Sequence, residues 1–184
     1  HGFSTHTGEL KLAQLVAPFA KKMADGTPDI VVTEGSINFR GARDQARVEA
    51  VVAALQRRPE VGAIFTRPRT PGSPEGVVAG TLSLNVARGN HARAADILVS
   101  ANWSEAANAA GVAGTTTQGG VAGHGTSSRF DIHNTLLAAG PDFRERMRSR
   151  VPASNVDLAP TVLTLLGLTV PSTMTGRPLT FGQT

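Results

Sequence analysis

The side chains of this sequence that could carry chemistry are few, and the histidines lead them: His1, His6, His91, His124 and His133. Neutral imidazole is the commonest side-chain ligand for zinc, and it changes charge near neutral pH. His124 is the best placed. In Gly123-His124-Gly125 the flanking glycines let the backbone come close to a metal ion or a phosphate, although an ordinary turn histidine would fit the same three residues. His1 and His6, five apart, read from spacing alone as solvated polar residues rather than paired ligands. His133 alternates with apolar neighbours in Phe130-Asp131-Ile132-His133-Asn134 and reads as a hydrogen-bonded structural residue; His91 offers less still. Asp131 could orient a metal-bound imidazole or bond its own loop backbone, and the local bond is the preferred reading. Ser4, Thr5, Thr126, Ser127 and Ser128 supply hydroxyls without the signature of a base-activated nucleophile. No phosphate-cradling consensus, neither G-x-x-x-x-G-K-S/T nor G-x-G-x-x-G opening a helix, is present.

The elements that must position these residues follow from periodicity. Leu12, Leu15, Val16, Phe19 and Met23 recur at helical spacing and predict a helix over residues 9–24, kinked at Pro18. Residues 29–33 follow an Asp-Gly-Thr-Pro turn and read as a short buried strand. Val48, Val51, Val52 and Leu55 mark a second amphipathic helix ended by Pro59, and residues 61–66 a second strand. Residues 67–76 are dense in Pro, Gly, Ser and Thr, residues 77–86 suit a strand or hairpin, and together they suggest a small surface insertion over about residues 67–90. Residues 94–100 are a further strand candidate, and the Gly- and Thr-rich residues 110–125 a long loop of the kind that carries function. A strand is expected over residues 132–139 and a helix over residues 156–166, capped by Asn155 or Asp157 and stopped by Gly167. Strands alternating with helices predict a layered α/β sandwich with a mostly parallel central sheet.

Composition bounds the function. A chain of 184 residues, 40% hydrophobic and 17% charged, can bury a core as one unit, and it shows neither an internal repeat nor a clear linker. The net charge of +4 comes from scattered arginines, with aromatics at only 4% and no Tyr. Those arginines read as solvated faces that could attract small phosphorylated molecules, and no nucleic-acid partner is expected. No apolar run approaches the roughly 20 residues of a membrane span. Absence of Cys removes disulfides, thiolate metal sites and a cysteine nucleophile. With no initiator Met or signal peptide ahead of His1, the chain is expected to begin inside a longer parent.

In their order, several segments amount to a resemblance. The opening His1-Gly2-Phe3-Ser4-Thr5 resembles the end of the Ser-Asp-His-Gly motif of the alkaline phosphatase superfamily. The stretch from Gly123-His124-Gly125 to Gly140-Pro141-Asp142 resembles that superfamily's other C-terminal metal motif. Between them Ala94-Ala95-Asp96-Ile97-Leu98-Val99 is similar to a family strand; residues 155–167 resemble its terminal helix, and Met174-Thr175-Gly176-Arg177-Pro178-Leu179 its closing element. The likeness covers nearly the whole chain outside residues 25–93 and is nearest to the type I phosphodiesterase/nucleotide pyrophosphatase branch.

The resemblance implies an incomplete, alkaline-phosphatase-like fold in which residues 1–184 are the C-terminal part of one catalytic domain. It implies two divalent metal ions, zinc by family habit, with His1 ligating the ion that activates the nucleophile and His124 the ion that faces the substrate oxygen. Nucleophile and remaining ligands would lie upstream, leaving the isolated chain inactive. The substrate would be a nucleotide or other small phosphodiester or pyrophosphate, and the setting periplasmic or secreted. Alternatives are a sulfatase or phosphonate hydrolase of the same superfamily, or a non-catalytic remnant used for binding. A chain missing half of its domain is also expected to self-associate through uncovered sheet edges or core faces.

Overall fold

A computed structural model describes residues 5–42, 44–120 and 125–179. The chain divides into two compact units, His1–Asn134 and Thr135–Thr184.

In the first unit the core forms where the apolar periods converge. Helix α1 (Leu12–Val16) precedes β1 (Ile30–Thr33) and β2 (Ser36–Phe39), which form a hairpin; α2 (Gln45–Leu55), β3 (Val61–Thr66), the two-residue β4 (Leu82–Ser83) and β5 (Ile97–Ala101) follow. Val48, Val51, Val52 and Leu55 lie on one stripe of α2 and are fully buried against Ile37 and Ile97 of the sheet, with Leu12 and Val16 of α1 in the same cluster. Asp44 caps α2, its carboxylate accepting from Arg47 N at 3.2 Å. At the hairpin turn Glu34 and Gly35 both have positive φ, 46° and 87°, the conformation that suits the twist of a two-residue connection. Gly35 has a second constraint: a Cβ there would lie 2.6 Å from Val99 O, against which the turn packs.

The five strands make one mixed sheet in the order β1-β2-β5-β3-β4, an α/β arrangement. The expectation of a mostly parallel sheet is corrected: β1–β2, β2–β5 and β5–β3 are antiparallel, and only β3–β4 is parallel. The cause is strand order. β2 and β3, joined through α2, do run parallel to one another, but β5 inserts between them in the opposite direction. Periodicity reports which side of an element is buried; it carries no information on which strand lies beside which.

Three other expectations are revised. The helix foreseen over residues 9–24 is only α1 followed by a 3-10 turn, Ala17–Phe19, because Pro18 removes an amide the ladder would need. Of residues 77–86 only Leu82–Ser83 is strand. Residues 132–139 form no strand: Phe130 and Asp131 belong to a short helix α3 (Arg129–Ile132), and irregular chain follows.

One ion pair ties the unit together. Arg47 donates to both carboxylate oxygens of Asp29, at 2.8 and 3.0 Å, and to Phe19 O at 2.9 Å, with its guanidinium 5.3 Å from the Phe39 ring centroid. Asp29 also accepts from Lys21 N at 2.7 Å. The Arg47 hydrogen bonds, joined by that backbone amide, hold the Asp29 carboxyl at about 2, below the ordinary 3.8. A depressed carboxyl stabilises the fold in full above its ordinary pKa and stops doing so as pH falls through the folded value. Asp29→Asn is therefore expected to be less stable near neutral pH. Its stability should also fall less than that of the wild type between about pH 4 and pH 2, measured by urea unfolding across that range.

In the second unit helix α4 (Leu158–Leu165) follows a 3-10 turn, Asn155–Asp157. Of the two expected caps, Asp157 holds the N-cap position of α4 but makes no side-chain cap bond to it; its buried carboxylate reaches back in a capping box with Ser154, accepting from Ser154 N at 2.9 Å, and accepts from Arg177 N at 2.9 Å. Thr161 Oγ1 donates to Asp157 O and accepts from Leu179 N at 2.8 Å, so the closing segment is bound to the start of the helix. Gly167, at φ 68°, ends it as expected. No helix among the described residues is long and apolar enough to cross a membrane.

Candidate functional site

His1 and His124 lie outside the described residues, so the site is built from the segments that adjoin them. Both segments come to the carboxyl end of β5.

On the His124 side, Thr126 donates through its backbone N (2.8 Å) and its Oγ1 (2.6 Å) to Asp131 Oδ2. This is the local bond expected of Asp131, and it closes the turn from which α3 starts. Ser128 caps α3 by accepting from Phe130 N at 3.1 Å. Gly125 sits at φ 92°, where a side chain would be strained, and a Cβ would press on Asp131 Cβ at 3.1 Å. The turn is then fastened to the sheet: Ser127 N donates to Ser100 Oγ at 2.8 Å, and the two hydroxyls meet at 2.9 Å. Phe130 completes the anchor, packing edge-on to Trp103 with ring centroids 5.9 Å apart.

On the His1 side, the chain from Thr5 onward lies against residues 115–118. Thr116 N donates to Thr5 O, Thr7 N to Thr116 O and Gly8 N to Gln118 O, at 2.8, 2.8 and 3.0 Å. Thr117 N in turn donates to Asn102 O at 2.9 Å, next to β5. Residues 115–118, expected as part of an irregular loop, are thus the middle of a hydrogen-bonded ribbon between residues 5–10 and residues 102–104.

The other histidines divide as follows. His6 is partly buried at the Thr116 bridge rather than solvated, and its Nδ1 has no hydrogen-bond partner. His91 is exposed, its Nδ1 accepting from Arg93 N at 3.1 Å. His133, expected within a strand, is an exposed residue at the end of α3. It lines, with Arg129 and Phe130, a cavity of about 400 Å³. The Arg129 guanidinium stands 4.9 Å from the Phe130 ring centroid and pairs with Glu105 at 2.7 Å, both side chains well exposed. Among the described residues no three His, Asp or Glu side chains gather into a group that could hold a metal ion.

Ser100 and Asn102 are the positioning residues that sequence reasoning missed. Small polar residues after an apolar strand are common, and nothing in their spacing marks them as anchors. Ser100→Ala is expected to free the Ser127 amide and speed its hydrogen exchange about tenfold, the loss of one net hydrogen bond, while amides in α2 are unchanged.

No protein-family model, curated protein or solved structure matches this chain.

Proposed function

We propose that this chain is the C-terminal part of a metal-dependent phosphohydrolase that cleaves phosphodiester or pyrophosphate bonds, of the nucleotide pyrophosphatase/phosphodiesterase type. The observation that carries the reading is the convergence of two segments distant in sequence. The residues that follow the His124 motif are hydrogen-bonded to Ser100, and those that follow the His1 motif reach Asn102 through residues 115–118, so both come to the carboxyl end of β5. Two metal-binding motifs are useful together only where the fold brings them to one place. The adjoining cavity adds a guanidinium and an aromatic ring, groups suited to an anionic ester with an aromatic substituent.

His1 and His124 are the residues that would contribute to holding two divalent ions, for which the imidazole donor suits zinc. When bound, such ions lower the pKa of a nucleophile and neutralise charge on the attacking and leaving oxygens. On this reading the remaining ligands and the nucleophile belong to an upstream part of the protein. What the described chain contributes is placement. The Thr126–Asp131 turn and the Ser100–Ser127 pair fix the backbone that leaves His124, and misplacement by about 1 Å can cost a factor on the order of a hundred in rate.

The test is hydrolysis by the longer protein of three chromogenic substrates: a phosphodiester, a phosphomonoester and a sulfate ester. Preferential turnover of the diester is expected. Preference for the sulfate would move the assignment to a sulfatase of the same superfamily, and no turnover of any ester would favour a binding remnant.

A further inference from the structure

The second unit carries a run of cations that its own fold leaves unused. Several arginines of the first unit are bound by the chain: Arg47 to Asp29, Arg58 to Glu60, Arg69 to Glu75, and Arg67 to His91 O and Ala94 O. Arg144, Arg146, Arg148 and Arg150 differ. All four are exposed, and among the described residues none of their side chains has an ion-pair or hydrogen-bond partner, although Asp142 and Glu145 are close in sequence. The run is shaped as well as charged. Glu145 and Arg146 form a turn in which Arg146 has φ 58°, a left-handed conformation disfavoured for a residue with a side chain. Beyond the run, Arg177 Nη2 donates to Pro152 O at 2.7 Å and fixes its end to the closing segment. Four cations within seven residues repel one another until an anionic surface comes against them.

The neighbouring apolar residues say which anionic surface. Leu136, Leu137, Met147 and Val151 are all exposed, Leu137 by 88% and Val151 by 59%. A nucleic acid would use the charge, but single-stranded partners are held on aromatic platforms, and the one aromatic residue of the run, Phe143, is half-buried. A folded acidic protein would need a pocket fitted to each apolar side chain. A bilayer surface needs none, because head groups pair with the guanidinium groups while apolar side chains enter the acyl boundary beneath them.

We infer that residues 136–151 form a peripheral docking surface for an anionic lipid bilayer. The surface uses none of the residues that build the candidate hydrolase site, and it holds the chain against a membrane without spanning it.

The chain is sedimented with sucrose-loaded vesicles of phosphatidylcholine alone and of phosphatidylcholine mixed with phosphatidylserine. Partition to the mixed vesicles is expected, with little to the neutral ones, and raised salt is expected to release most of it. Each basic residue near an anionic surface strengthens partition about fivefold, so Arg146→Gln/Arg148→Gln is expected to weaken it on the order of twentyfold. Leu137→Ser is expected to weaken it about tenfold through lost apolar contact. All three positions are exposed, so the variants keep the fold, which circular dichroism checks. Arg88→Gln/Arg93→Gln removes the same charge from exposed positions of the first unit and is expected to leave partition nearly unchanged. No preference for the mixed vesicles overturns the inference. So does an equal loss with the Arg88→Gln/Arg93→Gln pair, which would reduce the effect to net charge. Partition that Leu137→Ser leaves unchanged, or tighter binding to a single-stranded oligonucleotide than to the vesicles, overturns it in favour of a general polyanion site.

Discussion

Gly176→Ala is expected to destabilise the second unit by about 3 kcal/mol, at the upper end of what forcing extra atoms into a packed site costs. A Cβ at this position would collide with Val156 O and stand 2.9 Å from Asp157 N. Both obstacles are backbone, so no side-chain rotation relieves them. The closing segment would have to move away from the helix start, and the bonds from Arg177 N to Asp157 Oδ1 (2.9 Å) and from Leu179 N to Thr161 Oγ1 (2.8 Å) would go with it. Asp157 would then lose one of the amides that satisfy it while staying buried. Thermal unfolding gives the size of the effect, and faster exchange of the Arg177 and Leu179 amides gives its location. Gly111→Ala is the control: its φ of 76° disfavours a side chain, but nothing lies within 4 Å of the new Cβ. About 1 kcal/mol of backbone strain is expected there. Equal effects at the two glycines would mean that the closing segment does not pack as described.

The same contact makes two separate segments of the sequence, residues 155–167 and 174–179, halves of one packed motif. Legibility elsewhere followed the same logic. The stripe Val48, Val51, Val52 and Leu55 was readable because a surface helix has one buried side and four apolar residues at helical spacing admit no other reading. β1, β3 and β5 were readable as short apolar runs between turn residues. β2 was not, because Ser36-Ile37-Asn38-Phe39 is too short and too polar to stand out, although Ile37 is fully buried. Strand order was beyond reach, since the return of β5 between β2 and β3 depends on pairings across long stretches of chain. Residues 132–139 misled because a brief alternation of apolar and polar residues suits a strand, whereas the Ser128 cap starts a helical turn just before it.

At the candidate site, the local role of Asp131 was legible from residue type alone: a short carboxylate five residues from Thr126 can reach back to that residue's amide and hydroxyl. The anchors Ser100, Asn102 and Thr116 were not. Their importance lies in what the fold brings beside them, and residues 15 and more positions away supply their partners. His6 was misread for the same reason, because only the ribbon buries it.

The second large effect is catalytic and bears on the central claim. The measurement is turnover of a chromogenic phosphodiester by the proposed parent protein, with and without a chelator and with His124→Ala. If His124 ligates a metal that neutralises the developing charge, removing it forfeits several kcal/mol of transition-state stabilisation. Turnover should fall on the order of a thousandfold, matching the loss with chelator, while the unfolding temperature changes little. Diester turnover that survives both the chelator and His124→Ala would contradict the assignment.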